Sequence, residues 1–157
     1  MKAATQVWLG LALLHREHGR NADFTRFDIE RRIAAEPWAG GVTPSTIAAH
    51  VAGHCVGSAR PSPDRDRMLT RTTRGRYRLY RPGDSVHPGR ASGRMMPDAA
   101  DLPPSLTYLL AWYEDTYAGR SRERAMDELI AGMRASGIWR RIDPDAFIRE
   151  QRASWDE

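Results

Sequence analysis

A chain of 157 residues, 41% of them apolar, is long enough for one ordinary core and too apolar for wholesale disorder. Its formal charge of +4 is uneven: residues 1–90 hold 15 basic and 8 acidic residues, a net of +7, and residues 91–157 hold 9 and 12, a net of −3, so a basic half that meets an anion is expected. The single cysteine, Cys55, excludes an internal disulfide and a cysteine-pair zinc site, and suits a reducing cytoplasm.

Val7, Trp8, Leu11 and Leu14 recur at helical spacing and predict a first amphipathic helix over 4–18. The same run lacks a leading basic segment and a small-residue cleavage site, so it reads as a helix and not as a secretory leader. No run is long enough to span a bilayer, and no membrane partner is expected. A second helix is predicted over 26–35. Thr25 is its N-cap and Asp28 stands at the third helical position, where a carboxylate suits the helix dipole. Phe24 and Ile29 have the spacing of a hydrophobic staple. After Pro37, Gly40 and Gly41, Thr43 caps a third helix over 44–56 that starts with Pro44. Ile47, Val51 and Cys55 form its buried stripe. Ser45, Thr46, Ala49, His50 and Gly53 lie toward the other side, and all are small or polar.

Residues 57–66 read as a loop. Met68–Arg71 and Arg76–Tyr80 flank T-T-R-G and predict a hairpin. Tyr77 and Leu79 point to its buried face; Arg76, Arg78 and Tyr80 point to solvent. The segment 82–104 is rich in proline and glycine and reads as a linker or extended arm. A helical block follows at 105–157. One stripe is Leu106, Leu109, Leu110, Tyr113 and Tyr117; another is Ala125, Met126, Leu129, Ile130 and Met133. A last helix opens at Asp143-Pro144.

The expected fold is therefore mainly α with a small β hairpin. Three helices and a hairpin within the first 81 residues are in the order of a winged helix-turn-helix, followed by a C-terminal helical segment for dimerisation or partner binding. In such a unit the third helix enters the major groove of double-stranded DNA, where small hydrogen-bonding side chains approach base edges closely. Thr43, Ser45, Thr46, Ala49 and His50 fit that role. Arg74 at the hairpin tip suits a minor groove, and Arg71, Arg76, Arg78 and Arg81 suit phosphates. A hairpin with a basic face that is merely soluble, in a module that binds protein, is the alternative.

Three stretches carry a resemblance. V-W-L-G-L-A-L-L-H-R-E-H-G, S-T-I-A-A-H-V-A-G-H-C-V, and R-G-R-Y-R-L-Y-R-P-G-D with H-P-G-R after it resemble a family of prokaryotic winged-helix proteins of mostly unassigned function. The resemblance covers residues 7–90 and implies that fold and DNA binding, without an operator. The tail M-D-E-L-I-A-G-M-R-A-S-G-I-W-R-R-I-D-P-D-A-F-I-R-E-Q-R-A-S-W is similar to the short tails of some prokaryotic toxin–antitoxin proteins. There a DNA-binding domain is joined to a segment that wraps a toxin. Ile138, Trp139, Phe147, Ile148 and Trp155 are more apolar surface than small helices bury alone. Packing in a homodimer is the first reading of them, and a foreign protein partner in an antitoxin-like adaptor the second.

His50 and His54 have the i, i+4 spacing of a helical metal pair. Cys55 is placed on the buried stripe and His50 on the outer one, so the two are not expected to converge. No metal and no cofactor is expected. A thiol on an apolar stripe is inert as a nucleophile, and no phosphate loop, nucleophile elbow or paired catalytic carboxylate is present. The chain reads as a cytoplasmic, sequence-specific DNA-binding regulator and not as an enzyme.

Overall fold

A computed structural model of the chain describes residues 1–61, 66–119, 126, 127 and 129–132. It divides into two compact units, Met1–Gly119 and Arg120–Glu157. In the second, residues 126, 127 and 129–132 are helical, and Met126 and Leu129 are exposed.

The first unit is mainly helical with a small antiparallel sheet. In chain order it comprises α1 (Ala3–His18), β1 (Phe24–Thr25), α2 (Arg26–Ala34), α3 (Pro44–Ala49, continued by a π-helical turn at His50–His54), β2 (Leu69–Thr73), β3 (Arg76–Leu79) and α4 (Tyr108–Trp112, continued by a π-helical turn at Tyr113–Tyr117). Single 3₁₀ turns lie at Pro88–Arg90, Ala99–Asp101 and Pro104–Leu106.

α1 is the axis of this unit. Val7, Trp8, Leu9, Leu11 and Ala12 are all fully buried, so the helix is covered on more than the one stripe that its spacing suggests. Gly10 lets α2 come close: a Cβ there would lie 2.8 Å from Ile33 Cγ1. α2 begins as expected. Thr25 Oγ1 accepts from the Asp28 amide, and Asp28 Oδ2 accepts from the Thr25 amide at 3.0 Å, a reciprocal capping box. The Thr25 hydroxyl, which also donates to Asp28 Oδ2 at 2.7 Å, and then the Thr25 amide hold the Asp28 carboxyl below its usual range. α3 is capped by Thr43, whose hydroxyl accepts from the Thr46 amide at 3.2 Å. Its stripe of Ile47, Val51 and Cys55 is buried as expected.

The sheet order is β1-β3-β2, all antiparallel. β2 and β3 are the expected hairpin, turning at Arg74-Gly75 with Gly75 at φ 77°. Its register slips between Arg71 and Thr73, which leaves Thr72 as an extra residue. β1 pairs Phe24 with Tyr77 and Thr25 with Arg76. Two residues are too short to leave a periodicity, and the sequence gives no sign of this third strand. Tyr80 departs from the alternation that placed it in solvent. β3 ends at Leu79, and Tyr80 is buried, with the Arg67 guanidinium 5.2 Å from its ring centroid.

The compact unit runs further than the boundary read from the sequence. Residues 82–104, expected as a linker, fold back as a strap. Arg94 makes two bonds of 3.1 Å to the Asp66 carboxylate, Arg67 donates to the Gly93 carbonyl, and Arg90 is fully buried. Proline and glycine here form successive tight turns, with Leu102 in the core and Met95 and Met96 half-buried against it, which composition alone cannot tell from a free arm. One stripe of the segment expected for dimerisation or partner binding packs inside the same unit: Leu109, Tyr113 and Tyr117 are buried in its core, with Leu106 and Leu110 half-buried against it. Tyr113 donates to the Tyr80 carbonyl and Tyr117 to the Leu79 carbonyl, so α4 and its π turn dock on the end of β3.

Candidate nucleic-acid interface

Thr43, Ser45, Thr46 and Ala49 are all exposed, and His50 is half-buried. At the start of α3 the Thr43 hydroxyl lies 2.9 Å from both the Ser45 and the Thr46 hydroxyls. Three small hydroxyl groups are thus gathered at one helix end; that of Thr43 is filled by the Thr46 amide and its two neighbours, and those of Ser45 and Thr46 keep hydrogen-bonding capacity to present to a base edge.

His50 is not where an α-helix would leave it. The Cys55 amide donates to the His50 carbonyl at 3.0 Å, an i→i+5 bond that widens the turn. Five residues then complete about one turn, so His50 and Cys55 share a side. The Sγ to Nδ1 distance is 3.5 Å, and the His50 and His54 rings lie 4.8 Å apart. The expectation that Cys55 and His50 diverge is therefore corrected, because it assumed α-helical spacing throughout. Among the described residues, no group of three or more His, Cys, Asp or Glu side chains is arranged to hold a metal ion.

The hairpin starts at the end of α3. The Leu69 amide donates to the Cys55 carbonyl and the Gly57 amide to the Leu69 carbonyl. Higher on the hairpin, Arg71 Nη2 donates to the Ala52 carbonyl at 2.9 Å. Ala52, Arg71, Thr72, Thr73, Arg74 and Gly75 are all exposed. The outer side of α3 and the β2 edge of the hairpin therefore run into each other.

The arginines divide into two sets. Arg74, at the tip, has no intramolecular partner among the described residues, and Arg71 keeps donors beyond the one given to Ala52. Arg76, Arg78 and Arg81 have intramolecular partners, although Arg76 stays exposed and Arg78 and Arg81 are half-buried. Arg76 pairs with Asp23 at 2.5 Å and also donates to the Asp23 carbonyl. Thr72 and Arg76 together hold the Asp23 carboxyl below its usual range. Arg78 pairs with Asp84 through two bonds of 2.8 and 2.5 Å. Burial alone would raise the Asp84 carboxyl, but bonds from Arg78, Thr70 and the Arg81 amide outweigh it and hold the group low. Arg81 sits at the opposite end of the hairpin from Arg74. It donates to the Arg20 carbonyl and covers the Tyr117 ring at 4.6 Å. Of the expected row of arginines, Arg71 and Arg74 thus keep open donors, whereas Asp23 engages Arg76, Asp84 engages Arg78, and the Arg20 carbonyl and the Tyr117 ring engage Arg81.

Three groups that position the site were not singled out. Asp23 and Asp84 hold the hairpin's outer face. His15 lies beneath it, accepting from the Leu79 amide at Nε2 (3.2 Å), with Nδ1 3.1 Å from the Gly19 carbonyl. An Nδ1–H tautomer satisfies both contacts. The only local signal for His15 was its place one residue after Leu14, at the edge of the apolar run of α1.

The partner-binding residues proposed for the tail, Ile138, Trp139, Phe147, Ile148 and Trp155, lie outside the described residues. No helix among the described residues is long and apolar enough to cross a membrane.

Residues 6–79 match the family model of a domain of unknown function, DUF7669. The match runs from within α1 to the end of β3, and so covers most of the stretch 7–90 with the expected likeness to a family of unassigned function. No curated protein and no solved structure matches the chain.

Proposed function

We propose that the unit Met1–Gly119 is a winged helix-turn-helix module that binds double-stranded DNA, with α3 in the major groove and the β2–β3 hairpin as its wing. The observation that carries this reading is the Arg71–Ala52 bond. It joins the exposed side of α3 to the hairpin edge, so the three hydroxyls near Pro44, the small residues Ala49 and Ala52, and the guanidinium groups of Arg71 and Arg74 share one surface. Small side chains allow close approach to base edges, and the arginines supply the phosphate or minor-groove contact. The basic balance of residues 1–90 supports the same reading through long-range attraction. A regulator of transcription in the cytoplasm is the role such a module suits.

Anisotropy titrations of a labelled duplex at several salt concentrations test it. Binding is expected to weaken steeply with salt. Arg74→Ala is expected to reduce the slope of log K against log salt by about 0.9, the value for one lost phosphate contact. Failure to bind any duplex at low salt removes the reading.

A further inference from the structure

We infer that Arg90 is the positioning residue that sets the angle between α3 and the wing, and that sequence discrimination depends on it; this rests on the DNA-binding reading above. Arg90 stands at the end of the Pro88–Arg90 turn and is completely buried. A guanidinium has five N–H donors in a rigid fork, and here five main-chain carbonyls receive them. Nε donates to Ala59 at 2.8 Å. Nη1 donates to His54 at 2.6 Å and to Asp66. Nη2 donates to Gly53 at 3.1 Å and to Arg60 at 3.2 Å.

These acceptors belong to two different parts of the candidate interface. Gly53 and His54 are in the last turn of α3, whose carbonyls end the helix and attract a cation. Asp66 lies three residues before β2, and Ala59 and Arg60 lie on the way to it. One planar group therefore grips the end of the reading helix and the root of the wing together. The strap is itself anchored from outside, where Arg94 holds the Asp66 carboxylate and Arg67 the Gly93 carbonyl. Phosphate contacts tolerate a small rotation of α3, because each is a flexible cation on a repeating anion. Base-edge contacts do not, because hydrogen bonds weaken steeply with misalignment. Loosening Arg90 is thus expected to affect discrimination before affinity.

Two variants of the full chain separate these effects. Arg90→Lys keeps the charge and loses the fork. Gly89→Ala keeps the guanidinium but drives a Cβ to 2.8 Å from Pro61 Cγ, which pushes the turn that carries it. The readout is the ratio of affinities for a duplex that the wild type selects from a randomised pool and for an unrelated duplex. R90K is expected to lower that ratio at least about tenfold, while binding to the unrelated duplex stays within about twofold. G89A is expected to lower it less, and the Gly57 and Leu69 amides are expected to exchange faster in both. If R90K does not fold, the G89A ratio decides alone. An unchanged ratio in the folded variants overturns the inference and leaves DNA binding standing. An equal loss on both duplexes also overturns it, since Arg90 would then be needed only for folding. A wild type that binds no duplex removes the DNA reading and the inference with it.

Discussion

His15 shows how much one side chain can depend on its surroundings. It is buried beside α4's π turn, with its ring 4.6 Å from that of Tyr117, and both ring nitrogens are engaged. Burial lowers its pKa to about 4, and the nearby charges of Arg81 and Arg78 act in the same direction. The unfolded chain takes up the proton near the ordinary value of 6.5, and the folded chain does so only near 4. Between those values the unfolded state binds more protons, so stability is full above about pH 6.5 and falls as pH drops toward 4. A shift of this size corresponds to about 3 kcal/mol over that window. Urea unfolding of the wild type and of His15→Gln at a series of pH values measures it. The variant is expected to be less stable at pH 7 and to lose most of the wild-type decline between pH 6.5 and 4. An equally steep decline in the variant would assign the acid sensitivity elsewhere.

At the scale of elements, α1, α2, α3 and the hairpin were legible because each carries its own local signal. Thr25 with Asp28 and Thr43 with Pro44 mark helix starts chemically, and Ile47, Val51 and Cys55 mark a buried stripe by spacing. What failed was decided by partners outside the element itself, whether just beyond a turn or far along the chain. Arg78 reads as a solvent-facing wing residue by alternation, yet its side chain is 17% exposed and that of Asp84 13%. Asp84 collects bonds from Thr70, Arg78 and the Arg81 amide and so closes the open end of the hairpin. Asp84→Asn keeps the shape but leaves the Arg78 charge uncompensated in a mostly buried place. It is expected to destabilise the fold by about 3 kcal/mol in chemical unfolding and to leave the salt dependence of DNA binding nearly unchanged. A change in slope with unaltered stability would mean that Arg78 faces phosphate after all.

At the scale of the whole molecule, the fold class was readable and the boundary of the compact unit was not. The pattern of Leu109, Tyr113 and Tyr117 signals a helix with one apolar side, but a pattern does not say which surface will cover it. The structure puts that side on the first unit, through Trp8, whose ring meets Tyr113 edge-on at 5.6 Å, and through the hydroxyl bonds to Leu79 and Tyr80. The strap at 82–104 then becomes part of the candidate site, since it brings Arg90 to α3. Of the candidate site, the exposure of α3's outer side and of the hairpin tip was legible from residue type, and the acidic partners of Arg76 and Arg78 were not. The surface that remains is narrower than a uniformly basic hairpin, with hydroxyls at one end and Arg74 at the other.

The measurement that tests this arrangement most directly is amide chemical-shift mapping of the full chain during titration with a duplex. The account predicts that the largest changes fall together on residues 45–52 of α3 and on residues 71–75 of the hairpin. Changes centred instead on the groove between α2 and α3, lined by Phe27, Ala34, Val42 and Pro44, with α3's outer side and Arg74 unaffected, would contradict it.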